Sequence, residues 1–348
     1  MPTSVHLLEL SIPLRDPFAN SATSIDHRTV LLVGIQEDEL TGWGEAAPYP
    51  GISSERVSDL WAMVVASPDT VLSNVELPPT LLAAIEQARL DLAARRSGLP
   101  LWRHLGGGSD TVSVSVAIGI QPTPELSADA AKVAQAAGFQ RVKLKIAPGR
   151  DIEDLAAIRE AAPDLLLAAD ANGAYELDSP LFDSLDELGL SYIEQPLAAP
   201  LIAQHAMLRE RLETAICLDE SMVSLGSARD AIAGQAMDIA CLKAGLLGPG
   251  QVIELTAAAA AADIAVKLGG LIETSVGRGH TLAVGCRAEV DHADLAPAPW
   301  YLAADVTTSP WAVADGRITA PAAAGLGFEV DELLVADVIE RSMHVAIG

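Results

Sequence analysis

The stretch VKLKIAPG, Val142 to Gly149, sets two lysines one residue apart in a short apolar, β-branched run. On a β-strand Lys143 and Lys145 project to one face, with Val142, Leu144 and Ile146 on the other. Adjacent ammonium groups repel, and a solvent-facing edge strand guarded by lysine is the ordinary explanation. The residues downstream argue for chemistry instead. Asp170 lies 25 residues after Lys145, Glu194 lies 24 after Asp170, Asp219 lies 25 after Glu194, and Lys243 lies 24 after Asp219. Three carboxylates gathered from adjacent strands cannot all stay ionised without a counter-charge. A hard divalent cation supplies one, and Mg²⁺ suits a carboxylate set that leaves positions open for water or substrate oxygens. A lysine has an ordinary pKa near about 10.4, which burial among cations lowers to roughly 7 to 8, the range of a useful base. Lys143 and the metal are therefore expected to depress Lys145. A base facing a bound cation is the arrangement that removes a proton α to a carboxylate, because the resulting enediolate carries charge that a cation can hold.

A near-constant period of this kind belongs to a repeated strand, loop and helix. The expected strands are Ser113 to Ile118, Val142 to Ile146, Leu165 to Ala169, Ser191 to Glu194, Ala215 to Leu218, Ile239 to Lys243 and Ile264 to Leu268. In a parallel barrel each crossover passes over the outside before the next strand joins, and active-site residues sit at the C-terminal strand ends. All five polar residues fall at those ends. An open doubly wound sheet would not gather five successive strand ends around one centre, so the expected fold is α/β, with a TIM-type (β/α) barrel over residues 111–325. Residues 1–110 differ. Three β-like runs, around Leu7 to Ile12, Val30 to Ile35 and Thr41 to Ala46, predict an antiparallel meander. The segment PPTLLAAIEQARLDLAARRSGLP then predicts a helix, with prolines at its start, Arg95 and Arg96 in its last turn, and Gly98 and Pro100 as its stop. Together these make a small α+β module.

Composition narrows the partners. Half of the 348 residues are apolar, enough for a substantial core, and the formal charge of −25 argues against nucleic acid, which needs clustered Lys and Arg. Cys217, Cys241 and Cys286 lack metal-knuckle or disulfide spacing, which fits a reducing cytoplasm. The N-terminus carries no export signal, and the alanine-rich LTAAAAAADIAV is too short and too weakly apolar to span a bilayer. The expected partner is a small carboxylate, with no nucleic acid and no membrane.

VKLKIAPGRD, AADANGAY, YIEQPL, ICLDES, CLKAG and GGLIETSVGRG, taken in order, resemble the muconate-lactonizing subgroup of the enolase superfamily, nearest its o-succinylbenzoate synthase and N-succinylamino acid racemase branch. The resemblance runs from WGEAAP at Trp43 to GLGFEVD at Gly325. It implies a modified C-terminal barrel and an N-terminal capping domain, completed by residues 326–348 returning to it. It implies that Asp170, Glu194 and Asp219 ligate Mg²⁺, with Mn²⁺ as an alternative, and that Lys145 is the base. Lys243 would stand on the other face of the substrate, Lys143 would help electrostatically, and Asn172 and Glu220 would support the metal and Lys243 respectively. Gly269 and Gly270, leading into Leu271 and Ile272, would bring backbone close to the substrate, and Glu273 would cap the following helix. His280 and His292 read as satisfied loop histidines, so a histidine-base mechanism is disfavoured. A homo-oligomer, a homodimer or larger ring, would be in keeping with the resemblance.

The same constellation serves two reaction classes. In syn dehydration, as in o-succinylbenzoate synthesis for menaquinone, one lysine takes the α proton and returns it to the departing hydroxyl. In racemising an N-acylamino acid both lysines exchange protons. Racemising relatives tend to follow the second lysine with Pro, Gly and Arg, whereas here Lys243 precedes Ala244, Gly245 and Leu246. That difference favours the synthase, with the racemase next, then a dipeptide epimerase or a muconate cycloisomerase-like enzyme. Substrate choice among them would lie in the loops around Pro17 to Ser24 and Ala47 to Ser54. A Schiff-base aldolase would also use a strand-end lysine, but needs no three aligned acids.

Overall fold

The computed structural model describes residues 3–71, 77–308 and 311–347. Strands β1 (Thr3–Ala19), β2 (Ser24–Glu37) and β3 (Leu40–Ala46) form an antiparallel meander, longer than the apolar runs alone predict. β1 continues through Pro13 because its pairing with β2 shifts register between Pro13 and Phe18, which lets a proline interrupt the ladder. Helix α1 (Val57–Ala66) and helix α2 (Pro79–Ser97) follow. Pro79 starts α2, and Gly98, at φ 67°, ends it in the left-handed cap that glycine adopts without penalty. The β3 backbone meets α2 at Gly44, where a Cβ would lie 1.9 Å from the Ala84 carbonyl oxygen. No side chain fits that approach.

The second sheet contains β4 (Thr111–Ile118), β5 (Arg141–Lys145), β6 (Leu166–Asp170), β7 (Ile193–Glu194), β8 (Ile216–Leu218), β9 (Ile239–Leu242), β10 (Ala265–Leu268) and β11 (His292–Asp294). Each is parallel to the next, and β11 pairs back onto β4, closing an eight-stranded parallel barrel. β4 through β10 are each followed by helix, whereas β11 leads to the single turn Ala298–Trp300. Strand β12 (Arg317–Thr319) adds antiparallel to β4. The chain then returns to the first sheet, where β13 (Ile339–Ile347) pairs with β1 from Thr3↔Ile347 to Leu10↔Ile339.

Alternation along the barrel strands sorts their side chains. Val142, Leu144, Leu167 and Ala169 join the large apolar layer under the helices. Ala168, Tyr192, Cys217 and Cys241 make a small separate cluster inside the barrel. The three cysteines are free and buried. Among the described residues, no helix is long and apolar enough to cross a membrane.

Candidate active site

Every strand-end residue of the sequence repeat comes to the C-terminal rim of this barrel. Lys145 and Asp170 are direct register partners on β5 and β6, as are Asp170 and Glu194 on β6 and β7. Asp219 follows β8 and Lys243 follows β9. In the ring from β4 to β11, β5 stands opposite β9, so Lys145 and Lys243 face each other across the mouth with the three acids on one arc between them.

The acids are held by amines. Lys145 Nζ donates to Asp170 Oδ2 at 2.6 Å, Lys143 Nζ lies 2.5 Å from Glu194 Oε1 and 3.1 Å from Asp170 Oδ2, and Lys243 pairs with Asp219. These contacts reverse one expectation. Burial is the largest influence and pushes Lys145 down, and Lys143 adds to that push, but Asp170, Glu220 and Glu194 together raise Lys145 above the ordinary lysine value. Lys143 and Lys243 are likewise raised against burial, chiefly by Asp294 and Asp219 respectively. Asp170 is held well below the usual carboxylate range despite its burial, because Lys145 and Lys143 face it.

Asn172 and Glu220 meet each other rather than separate partners: Asn172 Nδ2 donates to Glu220 Oε1 at 2.7 Å. The Asn172 backbone N–H also donates to Asp170 Oδ1 at 3.2 Å. Burial, then the fields of Asp219 and Asp170, push the Glu220 carboxyl up to about 7. Asn172 Oδ1 and Glu220 Oε2 are buried without a partner among the described residues. Acceptors stranded beside a row of carboxylates, a donor set made of oxygens, fit a hard cation with its own shell of water. Among the described residues, those whose ligand atoms fall within 4.8 Å of one another are Glu194, Asp219 and Cys241, a group that does not include Asp170. Burial holds that thiol well above its ordinary value, and a soft, protonated sulfur is a poor ligand for such an ion.

A cavity of about 860 Å³, its open mouth included, lies over the rim. Lys143, Lys145, Asn172, Asp219, Glu220, Lys243, Gly269, Gly270 and Ile272 line it, and Phe18, Asn20, Ala22 and Tyr49 to Ile52 close it from the first domain. Both expected specificity loops therefore reach the cavity. Gly269 is needed for close approach: a Cβ there would lie 2.8 Å from Cys241 Sγ and 3.2 Å from Lys243 Cε. Ile272, at φ 57°, is held in the left-handed region that β-branched residues avoid.

Glu273 does not cap the next helix. Its Oε2 has no partner among the described residues, and the helix Ser275–Gly285 is capped by the Thr274 side chain. Glu45 of the first domain completes the cap, accepting from Thr274 N–H at 3.0 Å, Thr274 Oγ1 at 2.6 Å and Gly277 N–H at 2.9 Å. His292 is satisfied as expected, though on β11 rather than in a loop, whereas His280, on a helix, is only half satisfied, its buried Nδ1 having no partner among the described residues. His280 Nε2 meets the Trp43 carbonyl at 2.8 Å, and His292 Nδ1 meets Asp291 at 2.7 Å.

Two charged residues went unnoticed in the sequence. Lys267 on β10 is fully buried, 2.8 Å from Glu194 Oε2 and 2.6 Å from Asp294 Oδ2, with its amine over the Tyr192 ring. Asp294, ending β11, also lies 2.6 Å from Lys143. Lys143, Glu194, Lys267 and Asp294 thus form a closed ring of alternating charge beneath the cavity. The signal was present, since counting 24 residues on from Lys243 lands on Lys267.

Residues 3–106 match the mandelate racemase / muconate lactonizing enzyme N-terminal domain, and residues 125–334 match the enolase C-terminal domain-like family. The chain is 35% identical to the o-succinylbenzoate synthase of Geobacillus kaustophilus, over 94% of this chain and 93% of that one. It is also 35% identical to the N-succinylamino acid racemase of Thermus thermophilus, over 91% and 92%. An enolase-superfamily structure from Listeria innocua superposes with a TM-score of 0.89 at 27% identity, covering 99% of both chains. The chain belongs to the enolase superfamily, with both the N-terminal and the C-terminal domain of its mandelate racemase and muconate lactonizing members. It is an enzyme of the lyase or isomerase kind found among these relatives.

Proposed function

We propose that the protein removes a proton α to a carboxylate with Mg²⁺ held by Asp170, Glu194 and Asp219, and that its reaction is o-succinylbenzoate synthesis by syn dehydration. When bound, the cation stabilises the negative charge that develops on the substrate carboxylate, and Mn²⁺ would serve in its place. Lys145 is the base, and it would be released from Asp170 where that carboxylate holds a cation. It takes the α proton and passes it to the departing hydroxyl on the same face. Lys243 stays protonated on the opposite face and holds charge on the enediolate. Lys143 fixes Glu194, while Asn172 and Glu220 brace the rim beside Asp170. Gly269, Gly270 and Ile272 bring backbone against the substrate. Residues 1–110, with the returning 326–348, act as a cap over the barrel of residues 111–325.

The observation that carries this reading is the opposition of Lys145 and Lys243 across the mouth, with the acids on the arc between them. N-succinylamino acid racemisation is the second reading, supported by equal identity to relatives of both names. The test is incubation in D₂O with N-succinyl amino acids, following the α proton by NMR, beside an assay of dehydration of the cyclohexadiene precursor. Dehydration without exchange is the expected result, exchange without dehydration assigns the racemase, and neither activity rejects the proposal.

A further inference from the structure

The cations around the cavity are not all alike. Lys143, Lys145 and Lys243 each sit within ion-pair distance of at least one carboxylate. Arg278, which lines the same cavity from the helix after β10, has none among the described residues, although it is only 2% exposed. Its Nε–H donates to the Glu273 carbonyl at 2.8 Å and its Nη1–H to the Ala296 carbonyl at 2.5 Å, while the guanidinium lies 5.4 Å from the Tyr301 ring centroid. Nη2 is left without an acceptor among the described residues. Asp305 feels the charge, but its oxygens are taken by Ser275 and Val306. The other nearby guanidinium, that of Arg28, donates to the carbonyls of Ala47, Pro48 and Ile272.

A buried cation with no carboxylate in contact is costly, and the cost is relieved when an anion arrives. Guanidinium recognises carboxylate through directed, charge-assisted hydrogen bonds, and two carbonyls already fix the plane of this one. Its place in the ring matters as well. Arg278 belongs to the β10 and β11 side, which stands opposite β6 and β7, where Asp170 and Glu194 sit. Resting on the proposed function, we infer that Arg278 receives a second, distal carboxylate of the substrate, so that the site selects dicarboxylates spanning the mouth. A substrate with an uncharged or cationic group at that end leaves Arg278 buried and unpaired.

The experiment compares two ligands on the Mg²⁺-loaded protein by calorimetry: o-succinylbenzoate and 2-butyrylbenzoate, in which a methyl replaces the distal carboxylate. The wild-type protein is expected to favour the dicarboxylate by about 10- to 100-fold. In Arg278→Met that preference falls to about onefold, and Arg278→Lys keeps part of it. Preference retained in a folded Arg278→Met overturns the inference, as does equal binding of both ligands by the wild-type protein. The wild-type comparison stands even if Arg278→Met fails to fold. Failure of the functional reading looks different: neither ligand binds and no N-succinyl amino acid exchanges its α proton, an outcome that removes the inference with it.

Discussion

Lys145 and Lys243 share a chemistry but not their surroundings. Lys145 shares Asp170 with Lys143, so its partner is divided between two amines, whereas Lys243 has Asp219 to itself. An amine whose counter-ion can be drawn away is the better candidate for losing a proton, and that difference supports assigning the base to Lys145. Lys145→Ala should lower turnover by about 10²- to 10⁴-fold while calorimetric Mg²⁺ binding is retained. Retained activity would remove Lys145 from the base position. The spacing of the charges along the sequence made this set legible, because a barrel repeats at the length of one strand, loop and helix. The lysine pairings were not legible, since the balance among burial, Lys143 and Asp170 depends on distances of a few ångströms that spacing does not contain.

Among the elements, the join between the helix Ser275–Gly285 and β3 decides how the two domains meet. The Glu45 side chain completes the local Thr274 cap, with three donors from Thr274 and Gly277 converging on it. Replacing it by alanine strands those buried donors and should cost ~1–3 kcal/mol. Burial pushes its carboxyl up to about 7, against the hydrogen bonds from Thr274 and Gly277. The folded protein therefore binds this proton more tightly than the unfolded chain. The linked stability is complete below the ordinary glutamate value of 4.5 and is lost as the pH rises through about 7. Thermal melts from about pH 5 to pH 8 should show a steeper decline for the wild-type protein than for Glu45→Gln, and equal slopes would refute this. Glu220 titrates in the same window but is common to both proteins, so the difference belongs to Glu45. The sequence suggested Glu273 as the cap because it stands beside the helix. The cap is Thr274, and the residue that completes it, Glu45, is 229 positions away, which no local pattern reveals. Strand β11 escaped for a related reason: His292, Ala293 and Asp294 carry no β-branched signal, and ring closure rather than propensity makes them a strand.

The whole molecule is tied together by β13. Arg341 on that strand donates to Glu9 at 2.8 Å and lies over the Trp61 ring, joining the returning chain to β1 and α1. Removing residues 339–347 leaves open the edge of β1, the strand that carries Phe18 and leads into Asn20. Such a deletion should lower the melting temperature and weaken binding of o-succinylbenzoate while Mg²⁺ binding persists. Unchanged ligand affinity would contradict that role for the strand. The pairing Thr3↔Ile347 has a temporal consequence as well. Residue 3 pairs with Glu37 on β2, but its partner on the other side exists only after residue 347 has been translated, so on the ribosome the barrel can assemble while its roof is still missing an outer beam. A nascent chain would then hold the acids and amines in place yet stay open to water until β13 has joined β1.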